Sequence, residues 1–107
     1  MFEYAPAPES PSIVEIAPSY GLFIDGEFVD GSGTPLKTVN PASEEVLSEV
    51  ATATASDVDR AVKAARKAFG TWSALPGSER GKYLFRIARL LQERAREFAV
   101  LESLDNG

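Results

Sequence analysis

The chain is 107 residues long and carries a formal charge of −5, with 44% hydrophobic and 25% charged residues, the balance of an ordinary globular protein and enough length for one small domain. It contains neither Cys nor His, which excludes a disulfide framework, a thiolate nucleophile within this chain, and the commonest metal ligand and general base. No apolar run is long enough to span a bilayer, and Met1–Glu15 lacks the basic start and apolar middle of a signal peptide, so the cytoplasm is expected and no membrane partner is.

Residues 1–19 hold Pro6, Pro8, Pro11 and Pro18 among Ala, Ser and Glu, which predicts an acidic, extended arm that cannot sustain a helix. Within it, Ile13, Val14 and Ile16 offer a short strand or a contact with a neighbour. Tyr20–Val29 changes character: Leu22, Phe23 and Ile24 lead into Asp25-Gly26, and Phe28 and Val29 follow, the signature of a hairpin on a type I′ turn. Asp30–Pro35 is a second turn cluster. Its Gly31 and Gly33 lack the third glycine and the following helix of a phosphate-binding loop, so they read as turn glycines.

Leu36–Val39 is a further strand, stopped by Asn40-Pro41, because Pro disfavours helical backbone at the preceding residue and cannot donate to a ladder. Val46–Val50 gives its partner, with Val46, Ser48 and Val50 on one face and Leu47 and Glu49 on the other. Four short strands in one antiparallel ribbon are therefore expected. Glu44 and Glu45 are adjacent in the turn, and neighbouring side chains diverge, so they read as solvated acids rather than an acid/base pair.

Two helices follow. The first is expected to begin at Ser56, with Asp59 completing a capping-box-like pair and Asp57 favouring the positive end of the helix dipole. Val58, Val62, Ala65 and Phe69 line its apolar face, Gly70 closes it, and Trp72 is a packing wedge in the connection before Pro76. The second is expected as one long helix over Ser78–Asn106, with Ser78 as cap and Leu84, Ile87, Leu91, Phe98 and Leu101 as its apolar stripe. About 26 helical residues at 1.5 Å each run to about 39 Å, long for a chain whose radius of gyration should be about 13 Å. The helix outruns its own domain, which points to membership of something larger. Acids dominate residues 1–36, which hold no Lys or Arg, while both signs interleave along the helices. Arg86, Arg89, Arg94 and Arg96 alternate with Glu93, Glu97 and Glu102, so surface ion pairs are expected and a nucleic-acid partner is not.

Several strings in this order resemble the amino-terminal end of the NAD(P)-dependent aldehyde dehydrogenase superfamily: Phe23-Ile24-Asp25-Gly26-Glu27-Phe28-Val29, the segment Val39–Leu47 around Asn40-Pro41, Asp57–Phe69, and Leu101–Gly107. The resemblance covers roughly residues 20–107. It implies an α/β parent with a Rossmann-type cofactor domain, of which this segment is an α+β part: a short antiparallel ribbon and two helices. Residues 1–19 would be the arm and 20–107 an incomplete part of the cofactor-binding domain. It further implies oxidation of an aldehyde with NAD or NADP as cofactor, by attack of a cysteine thiolate, hydride transfer and hydrolysis of the thioester. Those catalytic and cofactor-binding residues lie outside the matched stretch, so none is assigned here. The chain by itself would then be a structural, amino-terminal fragment, with the remainder of the dehydrogenase polypeptide as its partner and a homo-oligomer, dimer or tetramer, as the assembled form.

Some members of the family bind a structural Na+ or K+. The resemblance places its ligands at the backbone carbonyls of Thr38 and Val39 and at Asp105, and hard cations do favour such oxygens. A solvated acid at a helix C-terminus is the plain alternative for Asp105, and ordinary strand residues for Thr38 and Val39. The alternative for the whole chain is a small stand-alone α+β interaction module that buries the helix stripe against a partner.

Overall fold

The computed structural model describes residues 11–107, and its most local feature is the Asp25-Gly26 turn. Asp25 and Gly26 have φ of 54° and 79°, the pair of left-handed conformations a type I′ turn demands and that Gly adopts without steric cost. They join β2 (Leu22–Ile24) to β3 (Glu27–Val29). Across this hairpin Phe23 stands opposite Phe28, with ring centroids 5.0 Å apart in an edge-to-face contact.

The strands do not form one antiparallel ribbon. β1 (Ser19–Tyr20), β4 (Leu36–Val39) and β5 (Val46–Val50) make a three-stranded sheet in the order β1-β5-β4, while β2 and β3 pair only with each other. β1 runs parallel to β5, with Ser19 beside Glu49 and Tyr20 beside Val50. β5 gives one edge to β4 and the other to β1, so it is not available to the hairpin. Ahead of β1, Pro11–Ile13 forms a 3-10 turn that packs against the last helix. That is where the Ile13, Val14 and Ile16 cluster goes, and residues 1–10 of the expected arm lie outside the described residues.

Three helices follow, not two: α1 (Ala55–Ala74), α2 (Gly77–Glu93) and α3 (Ala95–Asn106). α1 begins two residues earlier than expected because Thr54, not Ser56, is the cap. The Thr54 hydroxyl accepts the Asp57 N–H, and the Asp57 carboxylate accepts the Thr54 N–H at 3.0 Å, a complete capping box. α1 then runs through Gly70 and stops only at Leu75, whose extended backbone (φ −68°, ψ 140°) is what the following Pro76 requires. Trp72 accordingly sits inside α1, where its ring meets Tyr83 of α2 edge-on at 5.2 Å. α2 has Pro76 at its cap position and no side-chain cap, so Ser78 does not play that part.

The expected long helix is bent at Arg94 (φ −110°, ψ 23°). No Pro or Gly lies there, and amide bonds continue across the bend, from Arg94 N–H to Leu90 O at 3.1 Å and from Phe98 N–H to Arg94 O at 3.1 Å. Beyond the bend, α3 packs on the 3-10 turn. Among the described residues no hydrophobic side chain is fully buried; Ser48 and Asp57, exposed by 5% and 1%, are. The chain spans 63 × 38 × 18 Å with a radius of gyration of 18.5 Å.

Candidate functional site

A cavity of about 320 Å³ lies between the three-stranded sheet and α3. A β-bulge shapes its floor. Thr38 pairs with Ser48 but Val39 pairs with Val46, leaving Leu47 without an opposite number, and a bulge of this kind breaks the strict alternation of faces. Leu47 therefore joins Ser48 and Val50 in lining the cavity, against the alternation expected from sequence, while Val46 stays exposed. Phe98 and Leu101 of α3 form the roof.

Two of the three residues singled out as cation ligands open onto this cavity. Thr38 lines it from β4 and Asp105 from α3; Val39 does not and is half exposed. The Val39 peptide is nevertheless held by the turn that follows it. Asn40 N–H donates to Glu45 O at 2.9 Å, Asn40 O accepts from Glu44 N–H at 2.8 Å, and Asn40 Oδ1 accepts from Ala42 N–H at 2.9 Å. Glu44, with φ 61°, is a turn residue. The end of α3 lies against this turn, since a Cβ on Gly107 would sit 3.5 Å from Pro41.

The sequence reading missed Glu102, which lines the same cavity one helical turn before Asp105. The i,i+3 spacing of the two acids was the available signal. The cavity lining thus contains two carboxylates and no Lys or Arg, an uncompensated negative charge. Both carboxylates are solvent-exposed, and the rest of the lining is mostly apolar. Among the described residues no group of three or more Asp, Glu, His or Cys gathers in metal-binding fashion.

The most heavily bonded carboxylate is elsewhere. Gly31 and Gly33 bring the turn after β3 against Thr52, with Gly33 N–H donating to Thr52 O at 3.1 Å. This seats Ser32 over Asp57, whose oxygens accept from Ser32 N–H at 2.8 Å, Ser32 Oγ at 2.9 Å, Thr54 Oγ1 at 3.2 Å and Arg60 Nη2 at 2.8 Å, besides the cap bond. The Thr54 and Ser32 amides foremost, then the Ser32 hydroxyl and Arg60, hold this carboxyl well below the usual carboxylate range against the opposing effect of burial. A carboxylate with every lone pair engaged does not trade protons. Asp57 is a clasp between the turn and α1.

Of the arginine–glutamate pairs expected along the helices, Arg94 with Glu97 is present at 2.7 Å, and Lys63 with Asp59 and Lys82 with Glu79, both at 2.8 Å, add two more surface pairs. Among the described residues no helix is long and apolar enough to cross a membrane.

Residues 28–107 match the model of the aldehyde dehydrogenase family. The chain belongs to that family. It is 53% identical over 89 residues to aldehyde dehydrogenase 1 of Tanacetum cinerariifolium, covering 80% of this chain and 18% of that one. Among solved structures, it superposes with a TM-score of 0.81 and 39% identity on a mutant of aldehyde dehydrogenase C from Pseudomonas syringae in complex with NAD+ and octanal, covering 85% of this chain and 19% of that one. The NAD+ complex of aldehyde dehydrogenase from Bacillus cereus matches with a TM-score of 0.78 and 41% identity over 88% of this chain and 21% of that one. The chain thus spans about a fifth of the length of the dehydrogenases it matches, and corresponds to a partial amino-terminal segment of them. Its strands and three helices are a part of the Rossmann-type aldehyde dehydrogenase fold, and the reading as a stand-alone interaction module is not favoured.

Proposed function

We propose that this chain serves as the structural amino-terminal part of an enzyme that converts an aldehyde, water and NAD+ or NADP+ into a carboxylic acid, the reduced cofactor and a proton. The observation that carries this reading is the pairing of a family match over 80 residues with helices whose apolar faces are uncovered: Val58, Val62 and Phe69 on α1 and Leu84, Ile87 and Leu91 on α2 are all exposed. Faces of that size call for a covering layer. The remaining part of a dehydrogenase, with its thiolate and cofactor-binding residues, is that layer, and residues 20–107 are its outer wall. The Thr38 and Val39 carbonyls, with Asp105, hold a structural Na+ or K+ in the complete enzyme. The assembled enzyme is a homo-oligomer in the cytoplasm.

The decisive experiment is to isolate the native product and measure its intact mass and its aldehyde-dependent reduction of NAD+ and NADP+. A mass several times 11.5 kDa with turnover supports the proposal. A native product of 11.5 kDa without turnover rejects it.

A further inference from the structure

We infer that Arg80 anchors an ion pair whose acid, the carboxylate of an Asp or Glu side chain, is carried by the layer that covers α2 in the complete polypeptide. The inference rests on the reading just given. Of the 11 Lys and Arg residues, Arg80 alone is not exposed. Its Nε is buried without a hydrogen-bond partner, and among the described residues no carboxylate pairs with it. The guanidinium turns back over the first turn of α2, its Nη2 lying 3.9 Å from where a Cβ on Gly77 would stand. Buried polar groups are normally satisfied, and a guanidinium cannot relieve its burial by giving up a proton.

The face on which Arg80 stands decides where its partner comes from. Arg80, Leu84, Ile87 and Leu91 follow one another at four, three and four, so the cation heads the apolar stripe of α2. Leu84, Ile87 and Leu91 are exposed, and the layer that covers them also closes over Arg80. This segment has no acid to spare for it. Residues 60–78 hold Arg60, Lys63, Arg66 and Lys67 and no Asp or Glu. Glu79 is taken by Lys82 at 2.8 Å, and Tyr83, one turn on, turns its ring to Trp72 of α1. An arginine enclosed without a counter-charge is strongly destabilising, whereas a carboxylate accepts two of its N–H groups at once and neutralises it. Position works in the same direction: α2 starts at Pro76 with no side-chain cap bond, so the positive end of its dipole favours the same anion.

The test compares the complete polypeptide with its Arg80→Met and Arg80→Lys variants, reading the thermal midpoint at about pH 8 and at about pH 5.5. Arg80→Met keeps an apolar stem and removes the charge, which leaves the carboxylate enclosed alone. It lowers the midpoint by several degrees at the higher pH. Burial pushes the proton affinity of the orphaned carboxylate up in the folded state, so it takes up a proton as the pH falls, and the deficit relative to the parent narrows at the lower pH. Arg80→Lys keeps the charge, loses less than Arg80→Met, and shows a deficit that does not change with pH; it stands in where Arg80→Met does not fold. If Arg80→Met matches or exceeds the parent at the higher pH, the arginine offers only its stem and the inference is overturned. A deficit of equal size at both pH values, or an Arg80→Lys variant that fails wherever Arg80→Met fails, overturns it as well. The intact mass of the native product judges the underlying reading separately. A mass several times 11.5 kDa with Arg80→Met harmless leaves that reading standing without the ion pair, whereas a native product of 11.5 kDa leaves no covering layer, and both fall.

Discussion

At Asp57, a carboxylate is buried beside a turn and made to serve three tasks: it closes the cap of α1, it anchors Ser32, and it pairs with Arg60. Because its proton affinity is depressed in the folded state, the sign of its contribution follows directly. Protonation costs the folded state more than the unfolded one, so the stabilisation is full above the unfolded value near pH 4 and declines as pH falls below it. Asp57→Asn should remove this dependence. The substituted chain starts from a lower midpoint, since the amide's NH2 would face donors at Ser32 and Thr54, and its stability between about pH 5 and pH 2 is flatter than that of the parent. Parallel acid-unfolding curves would show that Asp57 is not the group responsible. The sequence exposed Asp57 only as a dipole partner, because Ser32 is 25 positions away and no local pattern reports a bond of that span.

At the scale of elements, what was legible depended on how local the cause is. The β2–β3 hairpin was readable because its turn chemistry sits in two adjacent residues. The start of α1 was misplaced because Thr54–Asp57 and Ser56–Asp59 have identical spacing, and only the Ser32 clasp selects the first. The two are separable by substitution: Thr54→Ala should cost about 1 kcal/mol, whereas Ser56→Ala, one residue into the helix, should change stability by less than about 0.5 kcal/mol. Equal losses in chemical denaturation would show that the cap is shared. The bend at Arg94 was hidden because the stripe Leu84, Ile87, Leu91, Phe98, Leu101 keeps its rhythm across it. β1 was invisible for the opposite reason, being two residues long and defined wholly by its partner. The cavity was half legible in the same way. Thr38 and Asp105 were named from the family likeness, while Ser48 and Glu102 emerged only with the bulge and the packing of α3.

Taken whole, the molecule is a scaffold without a centre. Its radius of gyration of 18.5 Å stands against about 13 Å for a compact chain of this length, and the difference lies in helices that carry an apolar face outward. Leu84 and Phe85 are exposed by 65% and 77%. The isolated 107-residue polypeptide should therefore bind an environment-sensitive dye and sediment above its monomer mass, and Leu84→Glu should reduce both. In the intact polypeptide the same substitution should instead destabilise, by at least the roughly 1.5–3 kcal/mol that burial of such a side chain supplies. An isolated chain that is monomeric and dark to the dye would mean that the helices fold back on themselves.

The parallel pairing of β1 with β5 carries an implication for the order in which the chain assembles. β4 and β5 are joined by residues 40–45 and close a short loop, whereas Ser19 must wait for Glu49, thirty positions later. Closing the longer loop costs more entropy and is repaid by only two residue pairs. The sheet is thus built from its carboxyl-terminal side, with the hairpin of β4 and β5 as template and the amino-terminal strand as the last to dock. A polypeptide emerging from the ribosome would carry that strand unpaired until residue 50 had been made and cleared the exit tunnel.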